Sequence, residues 1–156
     1  MQIDVVDTVN FLSKNQIKDL KKKIKYILQS LKLPKNTEIC ITFTDDHLMR
    51  ELNSTYRGIN RTTDVLSFPQ EKLDSAIALA PKNKNITLLG DIVISIDAAK
   101  RNATRYGIDI TKEIDKLITH GILHLLGYDH KKKKDAEKMK TKENEILSSL
   151  VSRNQF

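Results

Sequence analysis

His120-Gly121-Ile122-Leu123-His124-Leu125-Leu126-Gly127-Tyr128-Asp129-His130 is the stretch that decides how this 156-residue chain is read. Four residues carry an α-helix about 400° round its axis, so His120 and His124 emerge one turn apart on the same face. Gly127 suits the end of that helix, because glycine takes up the left-handed conformation without penalty. The chain is then able to reverse and return His130 towards the pair. Three neutral imidazoles with an open fourth position is the arrangement of catalytic zinc, where water acidifies to a pKa of about 7. A lone histidine on an apolar helix is usually a hydrogen-bonded core residue. Here three of the chain's four histidines fall within eleven residues, and without a metal each would need a polar partner in an otherwise apolar segment. The expectation is one ion per chain, with zinc suited by geometry and cellular availability, although such a site also takes nickel, copper or iron. The fourth histidine, His47, has no such company and reads as a surface or helix-start residue.

The pattern outward from this stretch predicts the other elements. Glu113 to Leu126 is apolar on nearly every side, as a central helix should be. Asp135 to Leu150 closes the chain as an amphipathic helix, with Ala136, Met139, Ile146, Leu147 and Leu150 on one side. Towards the N-terminus, Gln2 to Val6 alternates like a short strand. Gln16 to Leu33 repeats apolar residues at three- and four-residue steps, from Ile17 to Leu31, with Leu33-Pro34 as its stop. Glu38 to Thr44 alternates cleanly, Ile39, Ile41 and Phe43 pointing one way and Cys40, Thr42 and Thr44 the other. Asp45 or Asp46 is placed to cap a helix running to about Tyr56. Val65 to Phe68 is a short strand ended by Pro69, and Leu88 to Ile96 is the most apolar strand. Asp97 is the expected cap of a helix to about Tyr106. Residues 70 to 86, with Pro81 and several Asn and Lys, read as a long loop or insertion. With no internal repeat and no linker rich in Pro or Gly, residues 1–156 are expected to form a single α+β domain. Its mixed sheet should have about four strands, one of them an edge strand beside the cleft, with the histidine helix lying centrally against it.

Composition narrows the class. A hydrophobic fraction of 39% and a charged fraction of 30% fit a soluble globule and exclude a disordered or fibrous chain. The single cysteine, Cys40, excludes an internal disulfide framework and a multi-cysteine zinc site, and is expected as a small buried hydrophobe on a strand face. No apolar run approaches the ~20 residues of a membrane helix, and Met1 is not followed by a basic and then an apolar stretch, so the cytoplasm is the expected location. The net charge is +7, from 27 Lys+Arg against 20 Asp+Glu. Lysines concentrate between Lys14 and Lys35 and again at Lys131-Lys132-Lys133-Lys134, directly after His130. Clustered cations attract polyanions, because each phosphate contact releases condensed counterions. Charge alone fits a nucleic-acid partner and a solvated helix face equally.

The histidine spacing resembles that of the metzincin proteases, with one departure. Their H-E-x-x-H carries a glutamate as general base, whereas Gly121 follows the first histidine here. Peptide hydrolysis by that route is therefore disfavoured. The same eleven residues more specifically resemble the signature of the YbeY family, bacterial metal-dependent endoribonucleases of ribosomal RNA maturation. Leu52-Asn53-Ser54-Thr55-Tyr56-Arg57 resembles the family's Leu-Asn-x-x-Tyr-Arg block, and Thr63-Asp64-Val65-Leu66-Ser67-Phe68-Pro69 its Thr-Asp-Val-Leu-Ser-Phe-Pro block. Gly90-Asp91-Ile92-Val93-Ile94-Ser95 resembles its Gly-Asp-Ile strand. The matched blocks are collinear between residues 52 and 130.

The resemblance implies a zincin-like domain that acts as a single-strand-directed, metal-dependent endoribonuclease, a metal-activated water attacking the phosphodiester. Its setting would be maturation of the 16S ribosomal RNA 3′ end and ribosome quality control. The resemblance also matches His120, His124 and His130 to zinc ligands and Arg57 to an arginine regarded as functionally essential. The chemistry agrees, since a guanidinium holds two nonbridging oxygens of a phosphodiester as negative charge develops on them. The alternative for Arg57 is a surface salt bridge to Glu51 or Asp64. Asp64 and Asp129 are the other polar residues of the matched blocks, either suited to orienting a ligand imidazole. Asp64 is equally suited to capping the turn before its strand, and Asp129 to approaching the metal or the attacking water. Expected partners are ribosomal RNA and the small ribosomal subunit, and no membrane. Lys21, Lys22 and Lys23, with Lys131, Lys132, Lys133 and Lys134, would hold RNA electrostatically, a role the family does not assign them. Two rival readings stand: a non-catalytic zinc protein bound to the ribosome or its assembly factors, which the missing base favours, and a metallopeptidase.

Overall fold

The alternation at Ile39, Ile41 and Phe43 becomes the middle of a sheet. In the computed structural model, which describes residues 1–70 and 86–153, all three side chains are buried on one face. The elements in chain order are β1 (Gln2–Asp7), α1 (Lys14–Ser30), β2 (Thr37–Thr44), α2 (Asp46–Arg57), β3 (Val65–Pro69), β4 (Thr87–Ser95), α3 (Ile96–Tyr106), α4 (Ile110–Leu125) and α5 (Lys133–Arg153). Strand β2 pairs in parallel with β1 on one side and β4 on the other, and β3 runs antiparallel to β4. The result is the expected mixed α+β sheet of four strands, in the order β1-β2-β4-β3. Strands β1 and β3 are its two edges, β3 being the antiparallel one.

Helices α1, α4 and α5 cover one face. Ile24 and Leu28 of α1, Ile118 and Ile122 of α4, and Met139 and Ile146 of α5 close over Ile41, Phe43, Ile92 and Ile94. Each such side chain contributes about 1.5–3 kcal/mol on full burial, so this layer holds α4 in place. Lys23 of α1 also reaches Asp115 of α4 at 3.1 Å. On the other face, α2 packs Met49 against Leu66 and Val93. The β3 edge therefore lies between α2 on one face and α4 on the other.

Element ends differ from expectation where local hydrogen bonding outweighs the sequence cue. Helix α1 stops at Ser30, ahead of Leu33-Pro34. Lys32 takes a φ of +58°, and the N–H groups of Lys32 and Leu33 bond back to the carbonyls of Gln29 and Leu28. That turn closes the helix before proline has any part in it. The cap of α3 is Ser95, whose Oγ accepts from the Ala98 N–H at 3.1 Å. Asp97 instead accepts the Asp46 N–H at 3.0 Å, tying the start of α2 to α3. Cys40 is half-buried on β2, where burial pushes its thiol pKa up. The loop expected at residues 70 to 86 falls almost wholly outside the described residues. Among the described residues no helix is long and apolar enough to cross a membrane.

Candidate metal centre

Helix α4 carries His120 and His124 one turn apart, as their spacing predicts, with the two Nε2 atoms 3.0 Å from each other. After His124 the helix ends in a paired turn: the Gly127 N–H bonds to the His124 carbonyl and the Tyr128 N–H to the Leu123 carbonyl, each at 3.0 Å. Gly127 sits at φ +94°, a conformation that side-chain-bearing residues rarely adopt. The reversal brings the His130 ring to 5.3 Å from that of His124 and 6.1 Å from that of His120. One ring nitrogen from each histidine lies within 4.8 Å of the others. A tetrahedral ion with bonds of 2.0–2.1 Å would hold ligand nitrogens about 3.3 Å apart, so small side-chain movements suffice. Among the described residues no further His, Cys, Asp or Glu joins the group, so three imidazoles are what these residues offer an ion.

The surroundings favour the ligating forms. Burial, and then the neighbouring rings of His120 and His130, hold the His124 pKa below its ordinary value, which favours the neutral form that ligates. The other nitrogen of His120, Nδ1, meets the Glu143 carboxylate of α5, whose side chain is only 14% exposed. A carboxylate on the far nitrogen fixes the tautomer and presents Nε2 to the ion. Glu143 was not among the residues singled out in the sequence. Its signal was there: an acidic residue between Met139 and Ile146 on the buried side of α5.

Asp129 and Asp64 are each held by a hydrogen bond of their own. Asp129 accepts the Lys131 N–H at 3.0 Å, and that bond, with one from the His130 backbone, holds its carboxyl below the usual range while fixing the turn before the lysines. Asp64 accepts from the Asn102 amide at 3.1 Å and lines the cleft.

Arg57 is the last residue of α2, followed by Gly58 in the left-handed conformation at φ +68°. Its Nη2 donates to the Ser67 carbonyl of β3 at 3.3 Å. The salt bridge to Glu51 or Asp64 is not formed. Glu51 instead pairs with His47 at 3.2 Å on the outer side of α2, where His47 is exposed as its isolation suggested. Arg57 and the three histidines line one cleft of about 440 Å³ beside β3, with Asn53, Arg61 and Asp64. The Asn53 amide holds the Arg61 carbonyl at 2.9 Å. Asp46 collects Thr62 Oγ1 at 3.1 Å, Ser95 Oγ at 2.8 Å and the Arg101 guanidinium at 2.6 Å, which fixes the rim between α2 and β3. Arg101 first, then the hydroxyls, keep the Asp46 carboxyl below its usual pKa.

The basic clusters separate. Lys131 to Lys134 are exposed directly after His130. Lys21 and Lys22 are exposed on α1, which packs beside β1 at the sheet edge opposite β3.

A family profile described as Endoribonuclease YbeY matches residues 3–151. The chain belongs to the YbeY family. YbeY relatives include the Endoribonuclease YbeY of Shouchella clausii, 38% identical over 151 residues that cover 96% of this chain and 94% of that one. The Endoribonuclease YbeY of Desulforamulus reducens is 40% identical over 139 residues, 89% of each chain. The fold is similar to the solution structure of a Thermotoga maritima protein, with a TM-score of 0.59 and 25% identity over 97% of this chain and 93% of that one.

Where metzincins place their glutamate, this YbeY chain turns Gly121 towards β4. A Cβ built there would lie 2.9 Å from Ile92 Cδ1 and 3.0 Å from its Cγ2. The position serves close helix–sheet contact, and its side-chain direction leads into the core. Just across the cleft, Ser67 Oγ donates to the Gly121 carbonyl at 3.1 Å, strapping β3 to α4 at the level of the ligands.

Proposed function

We propose that this chain is a single-strand-directed, zinc-dependent endoribonuclease of ribosomal RNA maturation, acting at the 16S 3′ end and in ribosome quality control, in the cytoplasm. The observation that carries the reading is the shared cleft, in which Arg57 and the convergent His120, His124 and His130 line the same edge of β3. Membership of the YbeY family supports it. The three imidazoles would hold the ion, which when bound supplies Lewis acidity, lowering the pKa of water and polarising a phosphoryl oxygen.

The chain's own residues do the rest. Arg57 is the catalytic residue, its planar fork gripping nonbridging oxygens as charge builds on them. Glu143 keeps His120 in the ligating tautomer. Gly121 offers no base, so the proton of the attacking water passes to another group at the cleft or to solvent. A cleft along a strand edge admits a backbone that is not locked in a duplex. Lys131 to Lys134, beside the site, steer the polyanion inward, and Lys21 to Lys23 form a second, remote basic surface. The small ribosomal subunit is the proposed partner.

A second reading, a non-catalytic metal protein docked on the ribosome, is favoured by the packing of Gly121 against Ile92. Incubating the purified protein with structured ribosomal RNA and with casein separates the readings. RNA cleavage that disappears in chelator and in Arg57→Ala is the expected result. RNA binding with no cleavage assigns the scaffold, and casein cleavage a peptidase. Elemental analysis of protein isolated without added metal identifies the ion.

A further inference from the structure

The turn between α2 and β3 carries groups that the metal chemistry does not use. Tyr56, next to Arg57, is 67% exposed, yet its ring is held edge-on to Phe68 of β3 with centroids 5.3 Å apart. Phe68 lies between Ser67, whose carbonyl takes Arg57, and Pro69, which lines the cleft. The ring thus stands beside the cleft, on the α2 side of β3 and near the end of that strand. Past Gly58 the chain doubles back along α2 towards the start of β3, pinned by Asn53 to the Arg61 carbonyl and by Asp46 to Thr62. Arg61 also lines the cleft, is exposed, and among the described residues its guanidinium makes no hydrogen bond or ion pair.

An exposed aromatic ring near the end of β3, an unpaired guanidinium nearer its start, and the Arg57–histidine cleft alongside offer the two chemistries that a nucleic-acid strand repeats. Every base offers a π-face and every linkage a negative charge. The geometry points to a two-ended grip for one strand of unpaired RNA lying along β3: Tyr56 stacks a base, and Arg61 holds a phosphate on the other side of the metal centre. Because Tyr56 is already braced by Phe68, stacking costs little ordering. The inference rests on the endoribonuclease reading for its substrate class, and its test measures binding only.

The probe is a nuclease-resistant phosphorothioate oligouridylate and the same strand with abasic positions, titrated into the metal-containing protein by fluorescence anisotropy. Tyr56→Ala should weaken binding of the intact strand roughly 5- to 150-fold, the range that base–aromatic stacking supplies. Tyr56→Phe should bind as the parent does. The abasic strand should bind the parent more weakly and show no further loss with Tyr56→Ala. Arg61→Ala should flatten the slope of log affinity against log salt by about 0.7, one single-strand phosphate contact. Unchanged affinity in Tyr56→Ala, an equal loss on the abasic strand, an unchanged salt slope, or no binding by the parent overturns the grip. Failure of the parent to cleave unmodified RNA in a separate assay, with the binding pattern intact, would instead overturn the endoribonuclease reading and leave the grip standing.

Discussion

At the scale of single residues, the pairing of His120 with Glu143 is the most informative contact. An imidazole free to turn presents either nitrogen, whereas one whose Nδ1 is held by a carboxylate presents Nε2 alone. Glu143→Gln keeps the shape and removes the charge, so metal affinity should fall about 10- to 100-fold, read by competition with a chromophoric chelator. An affinity unchanged by that substitution would strip Glu143 of its orienting role. The three histidines were legible in the sequence because helical period and one glycine fix their relation within eleven residues. Glu143 was not, since it arrives from another element by tertiary docking of α5, which no local spacing encodes.

Among the elements, α4 shows two departures from ordinary packing. Gly121→Ala would gain up to about 1 kcal/mol of helix propensity but force a methyl into Ile92, and overpacking of a filled core costs typically about 1–3 kcal/mol. The net expectation is a lower melting temperature with metal content retained. In the first turn, Glu113 is 1% exposed, and among the described residues its Oε2 has no hydrogen-bond partner while Asn102 donates to Oε1 at 3.4 Å. Burial is the main reason its pKa is raised above the ordinary value. The unfolded chain gives up this proton more readily than the folded one. Stability therefore falls as pH climbs from about 4.5 through the raised folded value. Glu113→Gln removes that dependence, and denaturant titrations should show it more stable than the parent at pH 7, by of order 1 kcal/mol, with the advantage shrinking towards pH 4. An advantage that does not shrink would mean that the carboxyl is not the source. Strand and helix existence could be read from periodicity throughout, yet the stops of α1 and the cap of α3 could not. Lys32 in a positive-φ turn and Ser95 ahead of Asp97 are choices made by competing local hydrogen bonds, for which Pro34 and Asp97 offered equally good cues.

For the whole molecule, the question is how a charge of +7 is arranged around one cleft. Sequence showed two lysine clusters but not that one adjoins the site while the other lies across the sheet, because strand order β1-β2-β4-β3 is a property of the assembled fold. Lys23 is moreover engaged by Asp115. Converting Lys131, Lys132, Lys133 and Lys134 to Glu should lower RNA affinity and its salt slope more than converting Lys21, Lys22 and Lys23. Elemental analysis should find the metal retained in both. The reverse order would move the RNA path to the α1 side of the protein.

The order of assembly follows from where the orienting carboxylate sits. Glu143 lies thirteen residues beyond His130 and reaches the His120 imidazole only once the final helix has docked. A chain that ends after the third histidine thus carries every ligand with nothing to aim them, and lacks Met139 and Ile146 from the layer that seats the helix bearing two of them. Full-strength loading of the ion is thereby coupled to the docking of the final helix.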